Sequence, residues 1–342
     1  MVKATTVKPL VSICIANYNG ISLIASCLES VFAQHGNIPI EIIVHDDAST
    51  DDSIKYLYKH YENIKIIVSD TNVGFCIANN RMAAAAKGQY LLLLNNDAQL
   101  FPDAIASLLT RAKEINTPAI LGLPQYDADS GELLDLGSML DPFLNPIPNF
   151  NPGQNEVGMI MGACLWIPKK LWLEMGGFPE WFGSIGEDLY LCCRTRLAGY
   201  PVMSLMQSGY YHLVGASFGG GKSRQGKLKT TYHRRIFSER NKTFVITLCY
   251  PTPLFQLILP LHIALLLIEG TILAILRQDF SLMRVVYLGC LRDLRKELSR
   301  LMLLRKQIQS TKKINLWQFL SPFSFFPHKL RLLYKYGIPS IK

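Results

Sequence analysis

Acidic side chains follow two apolar runs in this sequence, at the points where the runs end. Asp46 and Asp47 come just after residues 40–44, and Asp97 comes after four leucines and two asparagines. A carboxylate at the end of a buried strand can accept hydrogen bonds from ribose hydroxyls, or it can hold a divalent cation against a diphosphate. For Asp47 and Ser49, the alternative is that they only cap a following helix.

A further acidic pair, Glu187 and Asp188, comes directly after Gly186 and opens a predicted helix. A carboxylate held rigidly at a cleft wall can deprotonate an acceptor hydroxyl, which is the task of a general base. Two acids at a helix N-terminus also interact favourably with the helix macrodipole. The pair therefore has both a catalytic and a structural interpretation.

Apolar runs alternate with segments of helical period from residue 10 to about residue 122. Buried strands are predicted at 10–16, 40–46, 64–70 and 90–97, with helices between and after them. Nearly continuous apolar strands joined by helices indicate a parallel or mixed sheet that is covered on both faces. Because ligands bind beyond the carboxyl ends of such strands, Tyr18 and Asp47 are predicted to lie at one crevice.

The alternation stops at about residues 123–158, where Pro, Asn, Asp and Gly predict long loops around one or two short strands. A second block of strands and helices is predicted next. Its strands are predicted at 159–167 and 202–213, and its helices at 169–177 and 187–200.

Residues 215–235 are rich in glycine and basic residues and have few apolar anchors, so they predict a mobile loop. Its Lys222 and Arg224 could belong to a lid that closes over a departing diphosphate. The alternative is a solvated loop with incidental charge.

The positive charge of the chain is concentrated at its C-terminal end. The formal net charge is −2 for residues 1–276 and +11 for residues 277–342. The 26 positions between Lys242 and Glu269 are uncharged but interrupted by prolines, which favours a re-entrant or interfacial membrane segment over a single span. An amphipathic helix with five leucines on one face is predicted at about 282–306. The alternative is that these helices cover the sheet or pack in a dimer.

The cysteines and the N-terminus indicate a reducing compartment. None of the eight cysteines forms a CxxC pair, and most stand in apolar runs, so they are predicted to be reduced core residues. The first residues contain no secretory signal pattern. We therefore expect the catalytic part to stay in the cytoplasm.

Seven motifs together resemble one protein family. They are VSICIANYNG, IIVHDDASTDDS, NVGFCIANN, LLLLNNDA, GACLWIPKKLWLEMGGF, GEDLYLCCRTRLAGY and HLVGASF. From residue 11 to about residue 240, the chain resembles family 2 glycosyltransferases of the GT-A fold, and among them the rhamnosyltransferase-like enzymes of cell-surface polysaccharide assembly. Because all seven occur in the family's order and at family-like spacing, we do not attribute the resemblance to chance.

The resemblance implies a role for each matching position. It implies a Mg²⁺ or Mn²⁺ cofactor and inversion of the anomeric centre by direct displacement. The implied nucleotide contacts are Ala16, Tyr18, Asp46 and Asp47, the implied metal contacts are Asp97 and His212, and the implied catalytic residues are Asp188 as general base and its neighbour Glu187.

The expected fold is α/β, with a Rossmann-like mixed sheet of GT-A type flanked by helices and followed by an apolar and basic helical region that associates with a membrane. We expect a catalytic domain at 1–242, with a nucleotide-binding half at about 10–122 and an acceptor-side half at about 123–242. A helical membrane-association region is expected at 243–342.

The expected function is transfer of a sugar, with rhamnose suggested by the subgroup, from a nucleotide-sugar donor to a lipid-linked glycan at the cytoplasmic face of the cell membrane. Two alternatives are a polyprenyl-phosphate glycosyltransferase and a non-catalytic nucleotide-sugar-binding membrane subunit. An anionic membrane surface is an expected partner of the basic tail. Nucleic acid is not, because the aliphatic residues between the charges suit lipid better than bases.

Overall fold

The computed structural model describes residues 8–213, 215, 220–224 and 227–341. The strands in this part of the chain are β1 (Val11–Asn17), β2 (Ile40–Asp46), β3 (Lys65–Val68), β4 (Tyr90–Asn95), β5 (Ala98–Leu100), β6 (Ile120–Gly122), β7 (Gln125–Asp127), β8 (Leu133–Asp135), β9 (Met139–Leu140), β10 (Pro146–Ile147), β11 (Cys164–Pro168), β12 (Val202–Ser204), β13 (Tyr210–His212), β14 (Gly220–Arg224), β15 (Lys227–Thr230) and β16 (Ser340–Ile341).

Helices connect and cover these strands. They are α1 (Ile24–Phe32), α2 (Ser53–His60), α3 (Phe75–Ala85), α4 (Ala104–Glu114), α5 (Lys169–Met175), α6 (Glu187–Leu197), α7 (Tyr232–Cys249), α8 (Leu254–Arg277), α9 (Phe280–Leu282), α10 (Leu288–Ser310), α11 (Leu316–Leu320) and α12 (His328–Tyr336). A 3₁₀ turn at Glu180–Phe182 and a π-helical turn at Met283–Tyr287 complete the set.

The main sheet has seven strands in the order β12-β6-β11-β4-β1-β2-β3. Strand β1 is parallel to β2 and β4, whereas β11 is antiparallel to both β4 and β6. The sheet is therefore mixed, as the sequence predicts. The carboxyl ends of β1, β2 and β4 meet at one edge, since Ala16 lies in register with both His45 and Asn95.

Helices cover both faces of this sheet. On one face, Ile13 and Leu92 pack in a cluster with residues of α1 and α4, such as Leu28 and Leu108. On the other face, Leu93 packs in a cluster with residues of α3, α5, α6 and α7. All eight cysteines are buried and free, which confirms their prediction as core residues. Burial raises the pKa of Cys14 to about 12, so this thiol is not a reactive group.

The loop region has more structure than its composition predicts. Residues 123–158 contain four short strands, β7 to β10, and β7 and β8 join β5 and β13 in a separate four-stranded sheet. The single strand predicted at 202–213 is wrong, because β12 and β13 belong to different sheets. The chain turns between them at Ser208, which has φ 68°, and at Gly209, where a Cβ would lie 2.8 Å from the Tyr126 ring.

The mobile loop predicted at 215–235 is also wrong over most of its length. Strands β14 and β15 pair antiparallel, and β15 pairs in parallel with β16 near the C-terminus. Backbone hydrogen bonds therefore replace the missing apolar anchors. Residues 214, 216–219, 225 and 226 and the side chains of Lys222 and Arg224 lie outside the described part, so the lid remains a prediction.

The C-terminal region differs from its prediction in how the helices divide. Helix α8 runs unbroken through Pro260, while Pro251 and Pro253 lie between α7 and α8. It is the one helix in the described part of the chain that is long and apolar enough to cross a bilayer. The predicted boundary at residue 242 falls inside α7, and the division into domains stays a prediction.

The leucines that the sequence places on one face of α10 differ in burial. Leu294 and Leu301 are buried in the core cluster that includes α7, whereas Leu288 and Leu298 are exposed. Helix α10 is therefore a packing helix, which agrees with the alternative interpretation of this segment.

One buried arginine on α6 connects the C-terminal region to the part of the chain that contains the main sheet. Arg196 of α6 is 7% exposed, and its guanidinium donates to the carbonyl oxygens of Val157, Gln318 and Phe319 and to the hydroxyl of Ser321. Because buried carbonyls need donors, this one side chain holds α11 against the sheet domain.

We predict that Arg196→Met lowers the free energy of unfolding by about 3 kcal/mol, because the change keeps most of the volume but leaves buried carbonyls without a donor. Urea unfolding measures the effect. Arg111→Met is the matched control, since Arg111 pairs on an exposed helix surface with Glu114 and should cost no more than about 0.5 kcal/mol. Equal stabilities of the two variants would contradict this role for Arg196.

Candidate active site

The predicted metal residues Asp97 and His212 lie side by side. Asp97 follows β4 directly, and β13 pairs with β5 so that His212 is opposite Ala98. His212 Nε2 is 3.2 Å from Asp97 Oδ1, and both side chains are buried. A cavity of about 200 Å³ borders Asn96 and Asp97.

The Gln125 amide orients the His212 ring. Tyr210 donates its hydroxyl to Gln125 Oε1, and Gln125 Nε2 lies 3.2 Å from His212 Nδ1. An amide nitrogen only donates, so this arrangement puts the ring proton on Nε2, facing Asp97. Reversing the Gln125 amide would place its oxygen at Nδ1 and free Nε2 to bind a cation.

These residues fit a divalent cation. Asp97 Oδ1 is buried, and apart from the His212 ring nitrogen 3.2 Å away it has no hydrogen-bond donor among the described residues. Mg²⁺ is usually held by one or two carboxylates together with substrate phosphates. No group of three or more His, Cys, Asp or Glu side chains in the described part forms a complete metal site, so a bound nucleotide would have to supply further ligands.

A buried polar chain connects the carboxyl ends of β4, β1 and β2. Asn96 donates to Asn17 Oδ1, and Asn17 donates to Asp46 Oδ2, each at 2.8 Å. Asp46 is fully buried, and it also accepts from the backbone and hydroxyl of Ser49. At Gly20, a Cβ would lie 2.2 Å from both asparagine side chains. Asp46 therefore shapes the crevice, and its contact with a nucleotide stays a prediction.

Asp47 supports the loop that precedes α3. Its two oxygens accept from the backbone N–H groups of Val73 and Gly74 at 2.7 and 2.8 Å, which fixes the start of α3. The helix cap suggested by the sequence is wrong, because α2 has no side-chain cap. Tyr18 is 52% exposed beside this crevice, with its ring available for stacking, and Ala16 is half-buried.

The acidic pair opens α6 after Gly186, whose φ of 92° favours glycine. Asp188 accepts from the N–H groups of Gly162 at 3.0 Å and Leu189 at 2.7 Å. Glu187 Oε2 is buried without a hydrogen-bond donor in the described chain. Burial and the Asp188 charge raise the pKa of Glu187 well above its usual value. Burial also raises the pKa of Asp188, although its two N–H donors act in the opposite direction.

Two hydrogen bonds connect the acidic pair to β4, the strand that Asp97 follows. Gly162 donates to Asp188, and the carbonyl of the next residue, Ala163, accepts from the N–H of Asn95 at 3.0 Å. Because Asn95 ends β4 two residues before Asp97, the structure places both groups of candidate residues at the same edge of the sheet.

Asn241 holds the loop in front of the acidic pair, a role that the sequence did not indicate. Its side-chain amide is fully buried and donates to the carbonyls of Phe182, Ser184 and Ile185 at 2.7 to 3.1 Å. Arg240 donates to the same Phe182 carbonyl. The only sequence signal was that Asn241 stands in a basic run before an apolar segment.

The basic residues of α7 do not form one ligand-binding cluster. Arg235 contacts Glu269, and Lys242 lies 2.9 Å from Glu239, so both are used inside the protein. Arg234 interacts electrostatically with Asp188 and Glu187, which oppose the lowering of its pKa by burial. Arg234 is thus a cation of this run whose charge acts on the acidic pair.

Comparison with known proteins identifies the fold and the domain. Residues 12–171 match the family model of glycosyl transferase family 2, which confirms the predicted resemblance. The structure of GalNAc-T7 with UDP, GalNAc and Mn²⁺ is similar with a TM-score of 0.56 at 16% identity, over 70% of this chain and 49% of that one. This likeness confirms the predicted α/β fold of GT-A type.

Two curated relatives share only part of their length with this chain. A chondroitin synthase of Escherichia coli is 36% identical over 196 residues, which are 56% of this chain and 27% of the relative. An N-acetylglucosaminyl-diphospho-decaprenol L-rhamnosyltransferase of Mycobacterium tuberculosis is 26% identical over 192 residues, which are 47% of this chain and 62% of the relative. The chain spans less than two thirds of the length of either relative.

We predict that Asn241→Ala lowers turnover roughly 100-fold while nucleotide affinity stays unchanged, since a displacement of about 1 Å at a catalytic group has an effect of this size. Steady-state rates and calorimetric titration with nucleotide measure the two quantities. Asn315→Ala is the control, because Asn315 only caps α11 at the surface. Equal losses of turnover and nucleotide affinity would argue against a positioning role for Asn241.

Proposed function

Residues 12–171 form a glycosyl transferase family 2 domain, and from this premise we propose that the chain is a metal-dependent inverting glycosyltransferase. It would move a sugar from a nucleotide-sugar donor to a lipid-linked glycan. The observation that carries the proposal is the hydrogen-bonded connection from Asp188 through Gly162 and Ala163 to β4, which puts the Asp188 and Asp97 carboxylates at the same edge of the sheet.

The donor side of the proposed site has three parts. The Tyr18 ring stacks on the base, and Asp47 with the Ala16 backbone contacts base and ribose, while Asp46 keeps their strand ends together. Asp97 and His212 would hold Mg²⁺ or Mn²⁺, and the bound ion would supply Lewis-acid neutralisation of the charge on the leaving nucleoside diphosphate. The Mn²⁺ and UDP in the similar GalNAc-T7 structure support this part of the proposal.

On the acceptor side, Asp188 removes the proton of the attacking hydroxyl. Two adjacent buried carboxyls do not both ionise easily, and Asp188 accepts from two backbone N–H groups whereas Glu187 Oε2 has no donor in the described chain. Glu187 therefore keeps its proton while Asp188 is ionised. The hydroxyl oxygen attacks the anomeric carbon opposite the leaving diphosphate, so the configuration inverts.

The acceptor and its location are proposed from the relatives and from the chain's own chemistry. The mycobacterial relative is named for a diphospho-decaprenol acceptor and for rhamnose, so a rhamnose donor is the first to test. A polyprenyl-linked acceptor lies in a membrane, and the free cysteines suit its cytoplasmic face.

The test is release of nucleoside diphosphate from a panel of nucleotide sugars, with Mg²⁺, Mn²⁺ or EDTA and a lipid-linked acceptor extract. We predict metal-dependent release from one donor. Asp97→Asn should abolish the metal dependence, and Asp188→Asn should lower turnover about 10²- to 10⁴-fold with donor binding intact.

Asp52→Asn is the control for both variants, because Asp52 lies at the surface and pairs only with Lys55 among the described residues. Normal turnover of Asp188→Asn would remove Asp188 from the role of base. Nucleotide binding without release from any donor would instead favour the non-catalytic subunit.

The electrostatics also predict a pH dependence. Since burial raises the pKa of Asp188 and Arg234 acts to lower it, turnover should fall on the acid side at a higher pH than for an ordinary aspartate. Arg234→Gln removes the positive charge, so the Asp188 pKa rises further and the acid limb of the rate profile moves to higher pH. Arg284→Gln on the exposed surface is the control. An unmoved limb in Arg234→Gln would contradict the assignment.

A further inference from the structure

Helix α8 exposes an unbroken apolar stripe along its whole length. The exposed residues follow each other at spacings of three and four, which places them on one face. They are Leu257, Leu261, Leu265, Ile268, Ile272 and Leu276, each exposed by 41% to 66%. A helix of 24 residues is about 36 Å long, and monomeric soluble proteins rarely leave such a stripe in water.

The opposite side of α8 is fastened to the protein at several levels. Near its start, His262 is buried and lies 2.8 Å from the hydroxyl of Thr243 on α7. Near its middle, Glu269 contacts Arg235 of α7 and lies 2.7 Å from Lys329 of α12. A Cβ at the neighbouring Gly270 would lie 2.6 Å from the Tyr287 ring. Because polar groups hold one side, lipid cannot surround this helix.

Helix α12 lies beside the C-terminal half of α8. Lys329 pairs with Glu269, and Arg277 donates to the carbonyl of Pro339. Helix α12 has no buried residue, and its Leu330, Leu333 and Tyr334 are exposed next to the basic Arg331 and Lys335. Long basic side chains of this kind can extend to phosphate headgroups while their stems cover apolar surface.

We propose that α8 and α12 form a docking face that lies flat on an anionic lipid bilayer, with α8 in the membrane plane and not across it. The apolar stripe enters the boundary between headgroups and acyl chains, and the basic residues meet the lipid phosphates. The inference deepens the proposed function, on which it rests for the lipid-linked acceptor.

Charge favours a bilayer over a second copy of the chain. Helix α12 exposes Arg331 and Lys335 and contains no acidic residue. A two-fold dimer through this face would bring the same basic segment of each copy together, which costs free energy, whereas anionic lipid attracts it. The exposed stripe itself contains no charged residue between 254 and 276 other than the inward-paired Glu269.

The test is flotation of the full chain with vesicles of phosphatidylcholine alone or with about one third phosphatidylglycerol. We expect binding to the anionic vesicles. Ile268→Glu combined with Ile272→Glu should weaken it at least about tenfold, because apolar burial is lost. Leu173→Glu is the matched control, since Leu173 is 63% exposed on α5.

A charge variant tests the basic part separately. Arg331→Gln with Lys335→Gln should weaken binding to anionic vesicles roughly fivefold for each charge removed, and Lys59→Gln with Lys113→Gln on α2 and α4 should have no effect. Nucleotide binding should stay normal in all variants, which separates failure of this proposal from failure of the proposed activity.

Three results would overturn the docking face. They are absence of vesicle binding by the unaltered chain, undiminished binding by the double glutamate variant, and a dimer in solution that the same glutamates dissociate. The last result would assign the stripe to a second copy of the chain.

Discussion

Two consecutive residues, Gly162 and Ala163, connect the two halves of the candidate site. The N–H of Gly162 supports the Asp188 carboxylate, and the carbonyl of Ala163 accepts from Asn95 at the end of β4. Both groups belong to the backbone, so their positions depend on β11 pairing antiparallel with β4. The mixed sheet is thus the reason that the Asp188 carboxylate on α6 and the Asp97 carboxylate after β4 lie at the same edge of the sheet.

The sequence predicts well what depends on local pattern. The buried strands at 10–16 and 90–97 are continuous apolar runs, and the structure contains them as β1 and β4. Strand ends in such a sheet converge, so the proximity of Tyr18, Asp47 and Asp97 follows from the pattern. The pattern does not predict that Asp46 is buried against Asn17 and Ser49. These contacts depend on the turn after each strand and on the glycine at position 20.

Prediction from the sequence fails where segments that are far apart in the chain form hydrogen bonds or ion pairs with each other. The Gly-rich segment at 215–235 looks unanchored, yet β15 pairs with residues 340 and 341, more than 100 positions away. The basic residues of α7 stand close together in the sequence, but Arg235 and Lys242 neutralise Glu269 and Glu239 inside the fold. A count of charges along the chain cannot distinguish a charge that is paired internally from one that faces a partner, and this distinction separates α7 from α12.

Helix α7 connects the C-terminal region to the candidate site. Its first turn carries Arg234, which interacts with the acidic pair, and Asn241 further along holds the loop before that pair. Between them, Arg235 and Glu239 take part in the ion pairs that reach α8 and α12. Burying such charges costs free energy unless every partner stays in place, so these helices cannot shift independently. Helix α7 therefore contacts both the loop in front of the acidic pair and the inner side of α8.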